Sequence, residues 1–232
     1  ILNYCKSMNK PASSLVIGVS GGVDSSVVST ICSMTGKKTF AVSMPIKQIR
    51  QQHTLSIMHQ KWLKKKFKNV YTPVIKLDNV FSNFKKKLNN FNSSHGFANS
   101  RSRLRMATLY QIAQYNNGLV VGTGNKVEDF GVGFYTKYGD GGVDIAPIAD
   151  CTKKEVWEMG EELGILEDII KAVPTDGLWD DGRTDTGQLG LSYEELEEAM
   201  VNSNSKNRLK YEKIRKTNLH KMLPIPVCKI PD

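Results

Sequence analysis

Short apolar runs alternate with longer amphipathic segments through the first half of the chain. The short runs have the length and residue types of buried strands, whereas the longer segments repeat apolar positions every three or four residues, as helices do. The predicted strands are 15–20, 39–44, 70–77 and 119–122. The predicted helices are 24–34, 53–67, 80–88 and 100–115. This alternation predicts an α/β fold with a doubly wound parallel sheet flanked by helices.

The alternation stops after Gly122. Residues 131–142, GVGFYTKYGDGG, contain too many glycines for an ordinary helix and too many aromatic residues for a flexible linker, so we expect an ordered functional loop. Residues 174–190, PTDGLWDDGRTDTGQLG, are again rich in glycine and are also acidic. That composition fits a lid that closes over a substrate and fits a mobile connector equally well.

Two capping boxes indicate helices in the second half. Thr152 is followed three residues later by Glu155, and Ser192 is followed by Glu195 in the same way. In a capping box the hydroxyl and the carboxylate each accept a hydrogen bond from a backbone N–H group at the helix start. We therefore expect one helix to begin after Thr152 and end near Gly164, and another to begin after Ser192.

The first predicted strand runs directly into a turn of residues 20–26, Ser-Gly-Gly-Val-Asp-Ser-Ser, and then into an apolar helix. Gly21 and Gly22 permit backbone angles that aim successive N–H groups at one point, and the helix start adds more, so the turn suits a pyrophosphate. Asp24 beside phosphates makes sense only with Mg²⁺ between them. The alternative is an ordinary turn capped by Ser20 or Asp24, but a cap explains one polar residue and this turn has four.

Other nucleotide-binding loops do not match. A Walker loop requires a lysine after its glycines, a dinucleotide fingerprint requires G-x-G-x-x-G, and residues 20–26 have neither. The Ser-Gly-Gly-x-Asp-Ser pattern instead resembles the loop of the ATP pyrophosphatases, which split ATP between its α and β phosphates to adenylate an oxygen of the substrate. That resemblance indicates a superfamily and leaves the substrate open.

Composition narrows the class of protein. The 232 residues are 40% hydrophobic and 24% charged, as in soluble globular proteins, and no apolar run approaches the roughly 20 residues of a membrane helix. The four cysteines are scattered, with no C-x-x-C pair, which argues against structural zinc and a disulfide framework. We expect a cytoplasmic protein with no membrane partner.

The formal net charge of +9 leaves two interpretations of the partner. Lysines and arginines cluster at 64–66, at 85–87 and between 206 and 216, within or beside amphipathic segments. Such runs are typical of solvated helix faces, and a positive cleft also attracts a polyanionic small substrate. We therefore favour solvated faces and a small substrate over a nucleic-acid surface.

Further blocks follow the pyrophosphate loop in the order that one family shows. They are Arg101-x-Arg103-x-Arg105, GTGNKVEDFGVGFYTKYGDGG at 122–142, Thr152-Lys153, PTDGLW at 174–179, TDTGQLG at 184–190, LSYEEL at 191–196 and His220-Lys221. With these blocks the chain resembles the ammonia-dependent NAD synthetases over most of its length. The blocks at 135–142 and 174–179 are the most specific.

The resemblance implies a single NAD synthetase domain over 1–232, with an ATP pyrophosphatase core at about 13–150 and the substrate loop, lid and C-terminal helices at about 151–232. It implies a ligase that converts deamido-NAD to NAD, the final step of NAD biosynthesis, with ATP as co-substrate and Mg²⁺ as cofactor. ATP adenylates the nicotinate carboxylate and releases pyrophosphate, and ammonia then displaces AMP. The family is homodimeric. The chain leaves no room for a glutaminase domain, so we expect free ammonium as the nitrogen donor.

The resemblance also assigns roles to matching positions. The ATP-binding set is Ser20, Gly21, Gly22, Val23, Asp24, Ser25, Ser26, Thr123, Lys153 and Thr175. The deamido-NAD-binding set is Arg105, Lys137, Tyr138, Asp140, Gly141, His220 and Lys221. The implied metal ligands are Asp24 and Glu128. The implied catalytic residues are Asp24, Lys153 and Asp140, the last of which binds and deprotonates ammonium.

One departure from the family pattern affects the metal site. An extra residue lies between Glu128 and Gly133, which makes Asp129 a rival for the second metal ligand. The spacing from Arg105 through Gly122 favours Glu128. We therefore assign the ligand to Glu128 and keep Asp129 as the alternative.

Other departures affect the lid and the C-terminal segment. Thr186 and Gly187 replace an acidic pair that usually follows Asp185, and Met222 stands where the family commonly has arginine. We expect the first change to alter lid closure and the second to alter the C-terminal contact with substrate.

We expect four basic residues of the recognised blocks either to bind phosphate or to be exposed to solvent. The three arginines of 101–105 occupy alternate positions and cannot share one helix face, so we expect at most two of them, Arg105 included, to meet phosphate and the rest to be solvated. A cation at a helix start is electrostatically unfavourable, so Lys153 after Thr152 indicates an anionic ligand.

Three other functions use a similar loop. An RNA-modifying ATP pyrophosphatase would adenylate a tRNA base, but such enzymes usually bring a reactive cysteine or an RNA-binding module, and neither is visible in the sequence. A GMP-synthetase-like amidotransferase is chemically closer but has no reason to carry the block at 135–142. A non-catalytic nucleotide-binding protein would not need Asp24, Glu128 and Asp140 together.

Overall fold

A four-stranded parallel sheet lies at the centre of the protein. The structure, a computed structural model, describes residues 1–230. The strands in this range are β1 (Ser14–Gly18), β2 (Lys38–Val42), β3 (Val70–Tyr71) and β4 (Gly118–Val120). They lie in the order β3-β2-β1-β4, and their pairings are parallel. The predicted parallel sheet is confirmed.

Helices cover both faces of this sheet. They are α1 (Leu2–Ser7), α2 (Val23–Met34), α3 (Arg50–Lys66), α4 (Asp78–Lys87), α5 (Ser94–Tyr115), α6 (Lys153–Glu162), α7 (Glu167–Ile170), α8 (Asp185–Leu189), α9 (Tyr193–Val201) and α10 (Arg208–Met222). Along β1, Leu15 and Ile17 enter a core with α2 and α6, whereas Val16 enters a second core with α4 and α5. Alternate residues of one strand enter opposite cores, so the sheet is buried on both faces, as the doubly wound fold requires. Among residues 1–230, no helix has both the length and the apolar character needed to span a membrane.

The third strand is shorter than predicted. The sequence predicted a strand over 70–77, but regular pairing ends at Tyr71. Pro73 has no N–H group to donate, so the ladder is interrupted at this edge of the sheet. The chain stays beside β2, because Ile75 N donates to Ser43 O at 2.9 Å. The other strands differ from their predicted bounds by one or two residues at each end.

The longest helix begins earlier than predicted. α5 starts at Ser94 rather than at residue 100, because Ser93 Oγ accepts a hydrogen bond from Gly96 N at 3.1 Å and caps the helix. The first turns of α5 contain serine, histidine, glycine and asparagine, which obscure the helical period of apolar residues. The starts of α3 and α4 lie three and two residues before their predicted positions.

Both predicted capping boxes are present. Thr152 and Glu155 exchange hydrogen bonds at the start of α6, and Ser192 and Glu195 do so at the start of α9. α6 ends just before Gly164, whose φ of +70° is the left-handed conformation that commonly terminates helices. The predicted bounds of α6 are therefore confirmed.

A π-helical turn, Glu128–Val132, lies where the resemblance implies an extra residue before Gly133. Val132 N donates to Val127 O at 3.0 Å, a spacing of five residues rather than four. A π-helical turn takes up one more residue than an α-helical turn, and such turns are frequent at functional sites. The turn is thus the local conformation that one extra residue would produce.

The C-terminal helices pack on the π-helical turn. Val127 and Val132 share a third core with Leu196 of α9 and Tyr211 of α10. This core also contains Tyr193, the first residue of α9. The packing brings the start of α9 to the edge of the sheet where the strands end.

Candidate active site

A cavity of about 710 Å³ opens at the carboxyl ends of the strands. The residues that follow β1, β2 and β4 line it, together with α5, the loop at 134–140 and the segment 172–179. Ligands of open α/β sheets bind at this edge. The predicted site residues that line the cavity are Ser20, Gly21, Gly22, Val23, Asp24, Ser25, Arg105, Thr123, Glu128, Lys137, Asp140, Lys153, Thr175, His220 and Lys221.

Three predicted site residues lie elsewhere. Ser26 is buried and donates its hydroxyl to Gly22 O at 2.9 Å, so it is occupied within α2. Tyr138 is exposed, with φ +63°, and Gly141 lies against the ring of Tyr135, where a Cβ atom would collide. Tyr138 and Gly141 belong to the loop beside the cavity but do not line it, and their role toward deamido-NAD stays a prediction.

The glycine turn after β1 is held by its own hydroxyl groups and by α3. Ser25 Oγ accepts from Ser20 N at 3.2 Å, and Gly22 N donates to Ser20 Oγ at 3.2 Å. Gly21 has φ +99°, and a Cβ atom there would lie 2.6 Å from Gln52 O. α2 begins with Gly22 as its N-cap and has no side-chain cap, so the capped-turn alternative is wrong. The N–H groups at the start of α2 can face an anion.

A buried lysine joins the two predicted metal ligands. Lys153, the first residue of α6, has its Nζ 2.6 Å from Asp24 Oδ2 and 2.9 Å from Glu128 Oε1. Burial by itself lowers the pKa of a lysine, but the two carboxylates outweigh it and raise the pKa of Lys153 above its ordinary value. The resemblance assigned Lys153 to ATP; in the structure its charge compensates Asp24 and Glu128.

Asn125 orients Asp24 and was not predicted. This buried side chain donates its Nδ2 to Asp24 Oδ1 at 2.9 Å. Its Oδ1 accepts from the N–H groups of Val127 and Glu128, each at 3.0 Å. One asparagine therefore fixes a carboxylate after β1 and the start of the π-helical turn. Its place within GTGN, directly after β4, was the available signal in the sequence.

Asp24 and Glu128 fit Mg²⁺ that is bound together with phosphate. Mg²⁺ is usually held by one or two carboxylates, and phosphate oxygens and water complete its octahedron. Both carboxylates contact one ammonium nitrogen, so a single cation can reach both. Among residues 1–230, no cluster of three or more His, Cys, Asp or Glu side chains is arranged to hold a metal by itself.

Asp129 lines the same cavity as Asp24 and Glu128 but, within residues 1–230, forms no ion pair with Lys153. Its carboxylate packs against Gly124, where a Cβ atom would overlap it, whereas Lys153 contacts Glu128. Burial and the neighbouring carboxylates raise the pKa of Asp129 well above its ordinary value. The π-helical turn thus directs the two adjacent acids to different places.

Asp140 is anchored in the cavity wall by a buried serine. Its Oδ1 accepts from Ser102 Oγ at 2.5 Å and from Thr136 N at 3.1 Å, and its own N–H donates to Ser102 Oγ at 2.8 Å. Desolvation by the surrounding protein raises the pKa of Asp140, and these hydrogen bonds oppose the rise. Ser102 was not predicted, because a serine inside a helical pattern carries no signal of its contact.

The end of α10 makes two hydrogen bonds with the cavity loop, one as donor and one as acceptor. Lys221 Nζ donates to Tyr135 O at 2.7 Å, and Lys137 Nζ donates to His220 O at 3.1 Å. Burial lowers the pKa of Lys221, while the charge of Asp140 opposes that change. These contacts close the cavity on the side of the C-terminal segment.

Met222 and Gly187, two of the family departures, lie outside the cavity lining. Met222 packs against Gly133, where a Cβ atom would lie 3.1 Å from its sulfur, and does not line the cavity. Gly187 lies inside α8, and its N–H group donates to the capping Thr184 Oγ1 at 3.1 Å.

Two of the three arginines bind the segment 174–190. Arg105 donates to Gln48 Oε1 at 2.9 Å and to Gly177 O at 3.4 Å, and burial lowers its pKa to about 10. Arg101 is buried and pairs with Asp180 at 2.7 Å, so it is not one of the solvated arginines. Arg103 is exposed, as expected. Asp180 and Gly177 of this segment thus accept hydrogen bonds from two of the arginines that were open to a role at phosphate.

The segment 174–190 forms a wall of the cavity. Gln52 Nε2 donates to Thr175 Oγ1 at 2.5 Å, and Asp185 N donates to Pro174 O at 3.1 Å. Trp179 also lines the cavity. The segment is therefore part of the cavity wall, and its closure over a substrate stays a prediction.

Tyr193 connects Glu128 to that segment. Its hydroxyl donates to Glu128 Oε1 at 2.6 Å and lies 3.3 Å from Asp185 Oδ2. Burial, with a contribution from Glu128, raises the pKa of Asp185 to about 7. Within residues 1–230, Asp185 Oδ1 is buried without a hydrogen-bond partner. The block LSYEEL was recognised in the sequence, but only its capping residues were interpreted.

Known proteins match this chain over nearly all of its length. The NAD synthase family model matches residues 3–230. The NH(3)-dependent NAD(+) synthetase of Carboxydothermus hydrogenoformans is 37% identical over 201 residues, which cover 84% of this chain and 80% of the relative. Among solved structures, the NMN synthetase from Francisella tularensis has a TM-score of 0.88 at 28% identity and covers 99% of this chain and 95% of its own. The NH3-dependent NAD synthetase from Campylobacter jejuni has a TM-score of 0.77 at 24% identity, with 98% and 94% covered.

The parallel sheet, the glycine turn and the carboxylates at its edge define an α/β protein of the adenine nucleotide α-hydrolase-like class. The chain belongs to the NAD synthase family. It is an ammonia-dependent ligase, and the family predicted from its sequence is confirmed. The RNA-modifying and GMP-synthetase-like alternatives are not favoured.

Proposed function

We propose that this ligase amidates the nicotinate carboxylate of deamido-NAD with free ammonia and converts ATP to AMP and pyrophosphate. The reaction would be the final step of NAD biosynthesis. The observation that carries the proposal is that Asp24 and Glu128 share one cation beside the glycine turn, in the cavity that also contains Asp140.

The first step activates the carboxylate. The N–H groups of the glycine turn and the start of α2 would hold the ATP phosphates. A carboxylate oxygen of deamido-NAD attacks the α phosphorus, the bond from that phosphorus to the bridging oxygen breaks, and pyrophosphate leaves. Asp24 and Glu128 would hold Mg²⁺, which supplies charge neutralisation for the leaving group.

The second step forms the amide. Asp140 would bind ammonium and accept a proton from it, a role supported by its place in the cavity lining, where Ser102 orients its carboxylate. Ammonia then attacks the acyl carbon, and the bond between that carbon and the AMP oxygen breaks. The wall formed by 174–179 would keep water from the mixed anhydride. A cytoplasmic homodimer completes the proposal, and light scattering of the purified protein tests the dimer.

A second candidate substrate is the nicotinate mononucleotide that corresponds to NMN. The Francisella tularensis protein, an NMN synthetase, superposes with a TM-score of 0.88 over 99% of this chain. Both substrates carry the same nicotinate carboxylate, so the residues that activate it serve either one. The two candidates differ only in the part of the substrate beyond the first phosphate.

The deciding assay combines the protein, Mg-ATP and ammonium chloride with deamido-NAD or with nicotinate mononucleotide. The proposal expects NAD and AMP in equal amounts from deamido-NAD, at a higher kcat/KM than for the mononucleotide. A higher value for the mononucleotide selects the second candidate. Neither amide product, or an equal yield with purified glutamine in place of ammonium, would overturn the proposal.

A further inference from the structure

We infer that Tyr193 is a positioning residue. Its hydroxyl holds Glu128 in the orientation in which Glu128 and Asp24 would together bind Mg²⁺. The inference rests on the proposed function, because it concerns the proposed metal ligands. Tyr193 belongs to the block LSYEEL, which has no assigned role beyond its helix cap.

The two carboxylate oxygens of Glu128 differ in their hydrogen bonds. Oε1 accepts from Tyr193 Oη at 2.6 Å and from Lys153 Nζ at 2.9 Å. Among residues 1–230, no donor reaches Oε2. One oxygen is therefore fixed, and the other is left for a ligand in the cavity.

The phenol can make this contact because its ring is held rigidly. Tyr193 is 4% exposed and packs edge to face on Trp157, with ring centroids 5.6 Å apart. Lys153 Nζ lies 5.0 Å from the centroid of the Tyr193 ring. The Tyr193 ring thus contacts the Lys153 ammonium, and the Tyr193 hydroxyl donates to Glu128.

The hydroxyl has one proton and two neighbouring acceptors. Glu128 Oε1 lies at 2.6 Å and Asp185 Oδ2 at 3.3 Å, so the proton belongs to the shorter contact. Asp185 reaches the hydroxyl from the segment 174–190, and its backbone N–H donates to Pro174 O. Tyr193 therefore donates to Glu128, and Asp185 of the cavity wall lies beside this contact without receiving the proton.

Asp24 has an equivalent support. Asn125 fixes Asp24 Oδ1, just as Tyr193 fixes Glu128 Oε1, and Lys153 bridges the two carboxylates. Groups that orient metal ligands typically change metal affinity or activity about 10- to 100-fold when they are removed. Loss of the phenol oxygen should therefore lower the affinity for Mg²⁺ and leave the protein folded.

Tyr193→Phe tests this role against a matched control. Tyr211→Phe removes a hydroxyl from the same core, where Tyr211 is 6% exposed and donates to Gly131 O at 3.3 Å. The measurement is the Mg²⁺ concentration at which a non-hydrolysable ATP analogue produces half of its thermal stabilisation. We expect this midpoint to rise about tenfold or more in Tyr193→Phe and to stay within twofold of wild type in Tyr211→Phe. In turnover assays, the apparent KM for Mg²⁺ should rise more than kcat falls.

A double-mutant cycle with Glu128→Gln separates positioning from a packing defect. Because the phenol acts through charged Glu128, adding Tyr193→Phe to Glu128→Gln should change the midpoint less than twofold. Replacement of Tyr193 by 4-aminophenylalanine, which restores a donor, should return the midpoint to within threefold of wild type. A wild-type midpoint in Tyr193→Phe, or the same shift in both backgrounds, overturns the inference alone. Wild-type protein that does not bind the analogue at any Mg²⁺ concentration overturns the proposed function as well.

Discussion

Lys153 Nζ lies 2.6 Å from Asp24 Oδ2, inside the protein and beside the turn that suits a pyrophosphate. The same nitrogen contacts Glu128, so one buried cation compensates two carboxylates. Removal of one partner from a buried ion pair is strongly destabilising, because it leaves uncompensated charge. A divalent cation bound by Asp24 and Glu128 would contact the same two carboxylates as Lys153.

Lys153→Gln should lower the free energy of unfolding by about 3–5 kcal/mol in the absence of divalent cations. Millimolar Mg²⁺ should restore part of this loss, because it replaces the missing positive charge. Urea unfolding with and without Mg²⁺ measures both effects. Lys154→Gln, at the next and 76% exposed side chain, is the control and should change little. A variant as stable as wild type, or one that Mg²⁺ does not stabilise, contradicts this account.

Arg105→Gln should loosen the segment 174–179. The guanidinium of Arg105 donates to Gln48 Oε1 and Gly177 O, and a glutamine side chain is too short to keep both contacts. Amide hydrogen exchange in 176–179 should be about tenfold faster or more, whereas exposed Arg103→Gln should leave it unchanged. Equal exchange in the two variants would show that Arg105 does not hold the wall.

The titration of Asp185 should lower the free energy of unfolding as pH rises. Its folded pKa is about 7 and its ordinary value is 3.8, so between these values the unfolded chain releases a proton that the folded protein keeps. Its contribution is therefore most favourable below pH 4 and is lost as pH rises through 7. Relative to Asp185→Asn, wild type should lose roughly 2–3 kcal/mol between pH 5 and pH 8, measured by urea unfolding. A difference that does not vary with pH argues against this titration.

Asp24→Ala should abolish adenylation and leave the protein folded. Loss of one proposed metal ligand should slow AMP formation more than about 100-fold, while Lys153 still pairs with Glu128. AMP release and the thermal midpoint measure the two effects. Asp150→Asn, at a 97% exposed side chain, serves as the control. Unchanged turnover in Asp24→Ala would mean that the metal site is misplaced.

The sequence predicted the scaffold and the family well, because both depend on local patterns. Hydrophobic period located the sheet and its helices, and the glycine turn located the cavity. The contacts of Asn125 and Tyr193 were missed, since a side chain that donates to a distant carboxylate leaves no periodic signal. Arg105 was assigned to phosphate because its charge is visible in the sequence, whereas the carbonyl of Gly177 that it binds depends on the fold of the later segment. The π-helical turn could be foreseen only as an extra residue after Glu128.

The path of one oxygen atom tests the central claim most directly. Deamido-NAD with ¹⁸O at both oxygens of its nicotinate carboxylate is incubated with the protein, ATP, Mg²⁺ and ammonium. Mass spectrometry then measures the ¹⁸O content of AMP, pyrophosphate and NAD. If the carboxylate attacks the α phosphorus, one ¹⁸O appears in AMP and the other remains in the amide of NAD. An AMP without label, or label in pyrophosphate, would contradict activation by adenylation.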